Sequence, residues 1–354
     1  MKASMGLEMR GRGNHTMPHA GIRPRLVAWQ RRHGRHGLPW QGTRDPYRIW
    51  LAEVMLQQTQ VAAVIPYYER FLARFPGVAG LAAASQEEVL RLWSGLGYYA
   101  RGRNLHAAAK AITEQGSFPR SAQQIQSLPG VGRSTAAAIA VFAFGRREAI
   151  LDGNAKRVFA RCFGVEDASR LWQLAERLLP RRGIRAYTQG LMDLGATVCT
   201  RAKPACERCP VARGCVARRE GRIAELPAPR RRRVVPQREA TWLVLVSGAQ
   251  VLLERRAPSG LWGGLWTFPE LNGAGVKAHC RRVLGCEISS ARKLAPLEHG
   301  FTHFTLRAQP VLCAVRKRSA RAEGAGRIWL DAADAVHAAV PVPVRAVLQV
   351  LAKS

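Results

Sequence analysis

Four cysteines, Cys199, Cys206, Cys209 and Cys215, fall within seventeen residues in the spacing C-x6-C-x2-C-x5-C. A run this dense must fold back on itself to bring its sulfurs together. Four thiolates suit tetrahedral zinc or the corners of an iron–sulfur cube, and the spacing leaves the metal open. The lack of a second C-x2-C pair argues mildly against a zinc ribbon. The other four cysteines (Cys162, Cys280, Cys286, Cys313) show no ligand spacing and are expected to be buried thiols. Eight cysteines in 354 residues are too few for a disulfide scaffold, which points to a reducing, cytoplasmic setting.

The chain carries 55 basic and 24 acidic residues, a net charge of +31, and so concentrates polyanions at its surface. Only 8 of the basic residues are lysine, as a GC-rich coding bias would produce, but such a bias does not explain the deficit of acids. Residues 1–236 hold 39 basic and 16 acidic residues, against 16 and 8 beyond them, so most of the attraction lies in the N-terminal two thirds. No stretch approaches the ~18 uncharged apolar residues of a membrane helix, and no secretory h-region opens the chain.

Residues 1–21 are expected to be a disordered or misassigned extension, with Met17 as an alternative start. Residues 22–215 show three- and four-residue apolar spacing broken at Leu38-Pro39, Phe75-Pro76-Gly77, Phe118-Pro119 and Leu128-Pro129-Gly130, which predicts an all-α region. Residues 216–237, with Pro227, Pro229, Pro236 and the Arg230–Arg233 run, predict an exposed basic linker. In 238–354, strands are expected at Ala240–Ser247, Val251–Glu254, Phe301–Ala308 and Val311–Val315, and helices at Lys277–Leu284 and Val344–Leu351, giving an α+β domain.

Three further segments carry chemistry. Gly130-Val131-Gly132-Arg133-Ser134 opens an apolar helix expected over 135–144, so a tight turn and free helical N–H groups would form a phosphate seat. An ordinary helical corner explains the same glycines. Glu53 sits among Ile49, Trp50, Leu51, Ala52, Val54, Met55 and Leu56, where burial would raise its pKa and make it a usable acid; a solvent-facing position on an amphipathic helix is the bland alternative. Asp152, in Leu151-Asp152-Gly153-Asn154, lies at another helix mouth, where the dipole and nearby N–H groups should keep it ionised, whether as a plain cap or as something more. A neutral carboxyl paired with an ionised one is the division of labour of glycosidic cleavage. Arg201 and Lys203, between the first two cysteines, offer charge for phosphate contact.

Together the segments WLAEVMLQQTQVAAVIPYYERF, LWSGLGYYARGRNLH, LPGVGRSTAAAI, ILDGNAKRV and MDLGATVCTRAKPACERCP resemble the helix–hairpin–helix DNA glycosylases and, within them, the MutY-type adenine DNA glycosylases. The resemblance runs from about Met17 over nearly the whole chain. It implies that the four cysteines hold a [4Fe–4S] cluster. It also implies that the partner is duplex DNA with adenine opposite 8-oxoguanine or guanine, the adenosine being flipped out for excision. Glu53 would then protonate adenine at N7 and later help activate water. Asp152 would stabilise the oxocarbenium-like sugar, directly or through a transient covalent bond, with Asn154 nearby. Gln58 and Tyr98 correspond to residues that insert beside the lesion and hold the duplex open.

Where bifunctional endonuclease III-like relatives carry a Schiff-base lysine, this chain has Ser134, which implies base removal without efficient strand cleavage. LWGGLWTFPE and HGFTHF resemble the MutT-like (Nudix) domain that reads 8-oxoguanine, with Phe301, Thr302 and His303 matching a Phe-Ser-His loop. No acidic R-E-x2-E-E box follows Gly273, so lesion binding without nucleotide hydrolysis is expected. A monomer acting at the nucleoid is the expected state. A bifunctional lyase and a non-catalytic DNA binder are the competing readings; Ser134 argues against the first, the presence of both carboxylates against the second.

Overall fold

The computed structural model describes residues 21–228, 234–273 and 275–353; the expected N-terminal extension, except Gly21, and the Arg230–Arg233 run lie outside the described residues. Helices follow one another as α1 (Ile22–His33), α2 (Pro46–Leu56), α3 (Val61–Arg74), α4 (Val78–Ala83), α5 (Gln86–Trp93), α6 (Tyr99–Glu114), α7 (Ala122–Gln126), α8 (Arg133–Phe144), α9 (Gly153–Phe163), α10 (Ala168–Arg177), α11 (Ile184–Asp193) and α12 (Val216–Arg219). Their starts are written in short polar side chains. Asp45 accepts the Tyr47 N–H with Pro46 in the first turn, Ser85 accepts from Glu88, and Asp167 accepts from Arg170. No described helix is long and apolar enough to cross a membrane.

The expected single helical region divides in two. One compact unit contains 21–44, 120–126 and 132–228; the other contains 45–119, 127–131 and everything described from 234 onward. In the first unit, Leu26 of α1, Ala137 and Ala138 of α8, Val158 and Phe159 of α9, Leu171 and Leu174 of α10 and Leu191 of α11 share one core, and Cys199, Cys209 and Cys215 pack against it. Residues 216–228 belong to this unit and do not form a free linker. Ala217 of α12 and Leu226 are buried, and Arg161 Nε donates to the Leu226 carbonyl at 2.7 Å.

The helical part of the second unit buries Trp50 and Met55 of α2, Phe71 of α3 and Trp93 of α5, with Phe71 meeting Trp93 edge-on at 5.8 Å. Its C-terminal part is a mixed sheet of β1 (Gln237–Ser247), β2 (Gln250–Arg255), β3 (Trp266–Thr267), β4 (Cys286–Lys293), β5 (Leu297–Gly300), β6 (Thr305–Arg318) and β7 (Arg327–Asp331), with α13 (Val276–Arg282), α14 (Ala332–Ala335) and α15 (Val342–Leu351). The strand order is β3-β2-β1-β6-β4, with β5 on β6 and β7 on β2. Strands β1 and β6 run parallel from Gln237 opposite Thr305 to Val246 opposite Ala314. The expected strand at Phe301–Ala308 starts only at Thr305. Residues 301–304 instead form a turn closed by the Phe301 N–H on the Phe304 carbonyl at 2.8 Å.

Within this unit the sheet is bonded to α5 and α6. Trp266 Nε1 donates to Glu87 at 2.7 Å, Arg103 donates to the Gly263 carbonyl at 2.8 Å, and Ser94 Oγ donates to the Val340 carbonyl while accepting from Arg345.

In the first unit Asp193, fully buried, accepts the Arg35 N–H and Nε and the Gln189 amide, tying the α1–α2 loop to the helix that leads into Cys199. Asp193→Ala leaves these donors unpaired, and thermal unfolding is expected to show a loss of about 3 kcal/mol. A change under 1 kcal/mol would show that the tie is dispensable.

Candidate active site

The residues singled out in the sequence divide between the two units. In the first, Asp152 caps α9: its carboxylate accepts the Ala155 N–H at 2.8 Å and lies 3.4 Å from the Asn154 amide nitrogen. Burial works against the donors expected to keep it ionised. Desolvation outweighs the Ala155 and Asn154 hydrogen bonds and the charge of Arg157, and raises the carboxyl above the ordinary aspartate range. The Leu151 N–H, immediately before it, donates to Ser134 Oγ at 3.0 Å, so Ser134 steadies the approach to Asp152.

From Asp152 the bonding continues to the cysteine loop. Arg157 donates to Asn154 Oδ1 at 2.8 Å, to the Gly195 carbonyl at 2.6 Å and to the Cys199 carbonyl at 2.7 Å. Gly195 is required by close approach, since a Cβ there would lie 2.5 Å from Asn154 Cβ and 2.9 Å from its Cα. Arg161, one turn further along α9, is buried and donates to the Thr200 and Arg201 carbonyls at 2.7 and 3.0 Å and to Cys199 Sγ at 3.5 Å.

Cys199, Cys206, Cys209 and Cys215 line one small pocket, walled by Val158, Leu194, Val198 and Val211. All four are free thiols, and among the described residues no three His, Cys, Asp or Glu side chains converge as a single-ion site. The four sulfurs around one largely apolar cavity, with a guanidinium beside Cys199, fit a thiolate-bound group. Cys162, an ordinary buried thiol by spacing, stands against this loop: its hydrogen bond to Cys215 lowers the Cys215 pKa to about 6, while burial pushes Cys209 up to about 11.

The hairpin spans the change of unit. Leu128 and Val131 are buried anchors, whereas Pro129, Gly130 and Gly132 are exposed. Gly130 has φ +76° and sits where a Cβ would meet Asn104 at 2.7 Å. Gly132 gives α8 no side-chain cap, so no side chain at the cap position takes up the first-turn N–H groups. The helix starts at Arg133, two residues before the expected position. The Arg133 side chain stacks 3.8 Å over Trp172 and pairs with Glu176.

In the second unit, Glu53 lies half-buried on α2 among buried Leu51, Ala52, Val54 and Met55. Helix α2 stops at Leu56, and Gln58 follows exposed in the left-handed region at φ 58°. Tyr98, before α6, is also exposed and left-handed at φ 49°. At the sheet, Phe301 stacks on buried Phe304 at 4.5 Å and meets His299 at 4.7 Å, leaving Thr302 and His303 exposed at the tip of the turn. The Thr302 and Tyr98 hydroxyls share a hydrogen bond of 3.2 Å. The sequence reading missed Arg157 and Arg161, although both stand on the helix that Asp152 opens.

Comparison with known proteins matches 51–181 to the HhH-GPD superfamily base excision DNA repair proteins and 241–350 to the NUDIX domain. The Adenine DNA glycosylase of Buchnera aphidicola subsp. Baizongia pistaciae is 32% identical over 336 residues, covering 93% of this chain and 96% of the relative. That of Mus musculus is 34% identical, covering 93% and 77%. A solved thermostable thymine-DNA glycosylase superposes with TM-score 0.54 at 30% identity, over 57% of this chain and 97% of the other.

Because folding raises the Asp152 pKa, the protonated form is favoured in the folded state. This contribution is complete below the ordinary value of about 3.9 and is lost as pH rises through the shifted one. Asp152→Asn removes the buried charge yet keeps a capping oxygen. At neutral pH it is expected to unfold at the same or a higher temperature than the parent, within about 1 kcal/mol. A marked loss of stability in a thermal melt would contradict this account of the carboxyl.

Proposed function

The chain belongs to the adenine DNA glycosylases of the HhH-GPD base excision repair superfamily, hydrolases of N-glycosyl bonds in DNA, and from that membership we propose that it excises adenine mispaired with 8-oxoguanine or guanine in duplex DNA and leaves an abasic site. One observation carries the lesion specificity. The Tyr98 hydroxyl bonds Thr302, so the candidate wedge and the candidate lesion-reading turn meet within one unit. A base partner held open by Tyr98 would lie against the exposed Thr302–His303 tip.

In this reading the first-turn N–H groups of α8 after Gly132 and the basic helical surface grip phosphates, while Gln58 and Tyr98 enter the stack. The adenosine swings out, as an in-stack glycosidic bond is beyond reach. Glu53, half-buried on α2, donates its proton to adenine N7 and then takes one from the attacking water. Asp152, anionic when it acts, stabilises the oxocarbenium-like sugar. Its orientation is supported by the Ala155 N–H and by Asn154, which Arg157 holds in turn. Ser134 offers a hydroxyl already engaged with the Leu151 N–H and no amine for a Schiff base, so the sugar–phosphate backbone stays intact.

Cys199, Cys206, Cys209 and Cys215 would hold a [4Fe–4S] cluster, which when bound cross-links the loop bearing Arg201 and Lys203. Phosphate contact is the use of that loop. The protein acts on duplex DNA as a monomer, at the nucleoid.

Single-turnover assay of a duplex with one A:8-oxoguanine pair, beside an A:T control, tests the reading. Strand breaks at the mispaired adenine are expected only after alkali; breaks without alkali would overturn the monofunctional assignment, and tight binding with no breaks would overturn the activity. Glu53→Gln should slow excision by about 100-fold or more while mismatch binding persists. Thr302→Val should lower the preference for 8-oxoguanine over guanine by roughly fivefold, and an unchanged ratio would remove that hydroxyl from lesion reading.

A further inference from the structure

Arg101, inside LWSGLGYYARGRNLH, is buried on α6 and pairs with no carboxylate among the described residues. Its guanidinium is spent on two loops. One terminal nitrogen donates to the carbonyls of Val54 (3.1 Å), Met55 (2.7 Å) and Gln57 (2.5 Å), the last turn of α2 and its cap. The other reaches Thr59 Oγ1 (2.9 Å) and the Leu96 and Gly97 carbonyls (3.4 and 3.3 Å). The cation also lies 5.3 Å from the Tyr98 ring centroid and 5.4 Å from that of Trp93.

The bonded segments therefore bracket Gln58 on both sides and lead directly into Tyr98, and these two side chains stand in a backbone region that residues other than glycine rarely occupy. Such conformations persist only where the surroundings over-determine them. Carbonyls at a helix C-terminus carry partial negative charge that suits a buried cation, and the planar fork of arginine can serve two loops at once where a lysine ammonium, a single point, cannot. Burial lowers the Arg101 pKa to about 10, which leaves it charged at neutrality.

We propose that Arg101 is the positioning residue that sets Gln58 and Tyr98 in their left-handed turns, so that the two side chains open the duplex together; this rests on the reading of both as wedges. Arg101 touches neither base nor sugar in this role. It acts before chemistry.

The test compares full-length parent, Arg101→Lys, Gln58→Ala and Tyr98→Ala proteins in single-turnover excision on two duplexes. In one the target adenine is paired within an intact stack; in the other it lies in a small unpaired bubble that needs no opening. A 2-aminopurine beside the target reports unstacking on binding. Arg101→Lys is expected to slow excision from the paired duplex by about tenfold or more, with the 2-aminopurine rise suppressed, and to change excision from the bubble by less than about threefold. Equal losses on both duplexes would overturn the proposal in favour of a purely structural role. Parent-like behaviour of Arg101→Lys, with both tip variants impaired on the paired duplex alone, would also overturn it. Full unstacking by Gln58→Ala and Tyr98→Ala would instead overturn the wedge reading on which it stands.

Discussion

Guanidinium groups bonded to backbone carbonyls hold the functional parts of this protein in place. With more than two basic residues for each acidic one, interior arginines cannot all find carboxylates. They take the orphan carbonyls of helix ends and irregular loops, groups that would otherwise be buried without donors. Buried Arg161 and half-buried Arg157 do this for the backbone around Cys199, and half-buried Arg185 for the end of α8. The same composition that draws a polyanion to the surface thus supplies polar cross-links inside the helical unit, where salt screens them less than it screens the surface.

Within the first unit this leaves Asp152 in a compromised position. It is the cap that starts α9, it loses solvation to do so, and it stands at the head of a bonded row, Asp152 to Asn154 to Arg157 to the Cys199 backbone, that ends at the thiol-lined cavity. Desolvation raises its pKa there, against the pull of the donors that cap it. Gly195 marks how tightly the row is packed, since there the backbone of Asn154 leaves no room for a side chain.

Much of this was legible in the sequence because it is local. Helix breaks at Phe75-Pro76-Gly77 and Leu128-Pro129-Gly130 and the capping role of Asp152 follow from short-range pattern. What the sequence hid is long-range. Strands β4 and β7 carry charged, half-exposed residues with little alternation and owe their existence to pairing with β6 and β2. The proline-rich stretch after Cys215 reads as a linker until Arg161, 65 residues away, takes the carbonyl of Leu226. The division of one helical pattern into two units, with 45–119 joined to the sheet, depends on contacts such as Arg103 to Gly263 that no periodicity announces. The upward pKa shift of Asp152 comes from desolvation, which a helix-mouth argument omits.

The fork of Arg161 has a consequence for how this sequence can change. On an exposed helix an arginine exchanges for a lysine at little cost, since either charge stays hydrated there. At 161 one planar group serves Thr200, Arg201, Leu226 and the Cys199 sulfur together. No single ammonium spans those four acceptors, so the same exchange at 161 would leave buried carbonyls without donors.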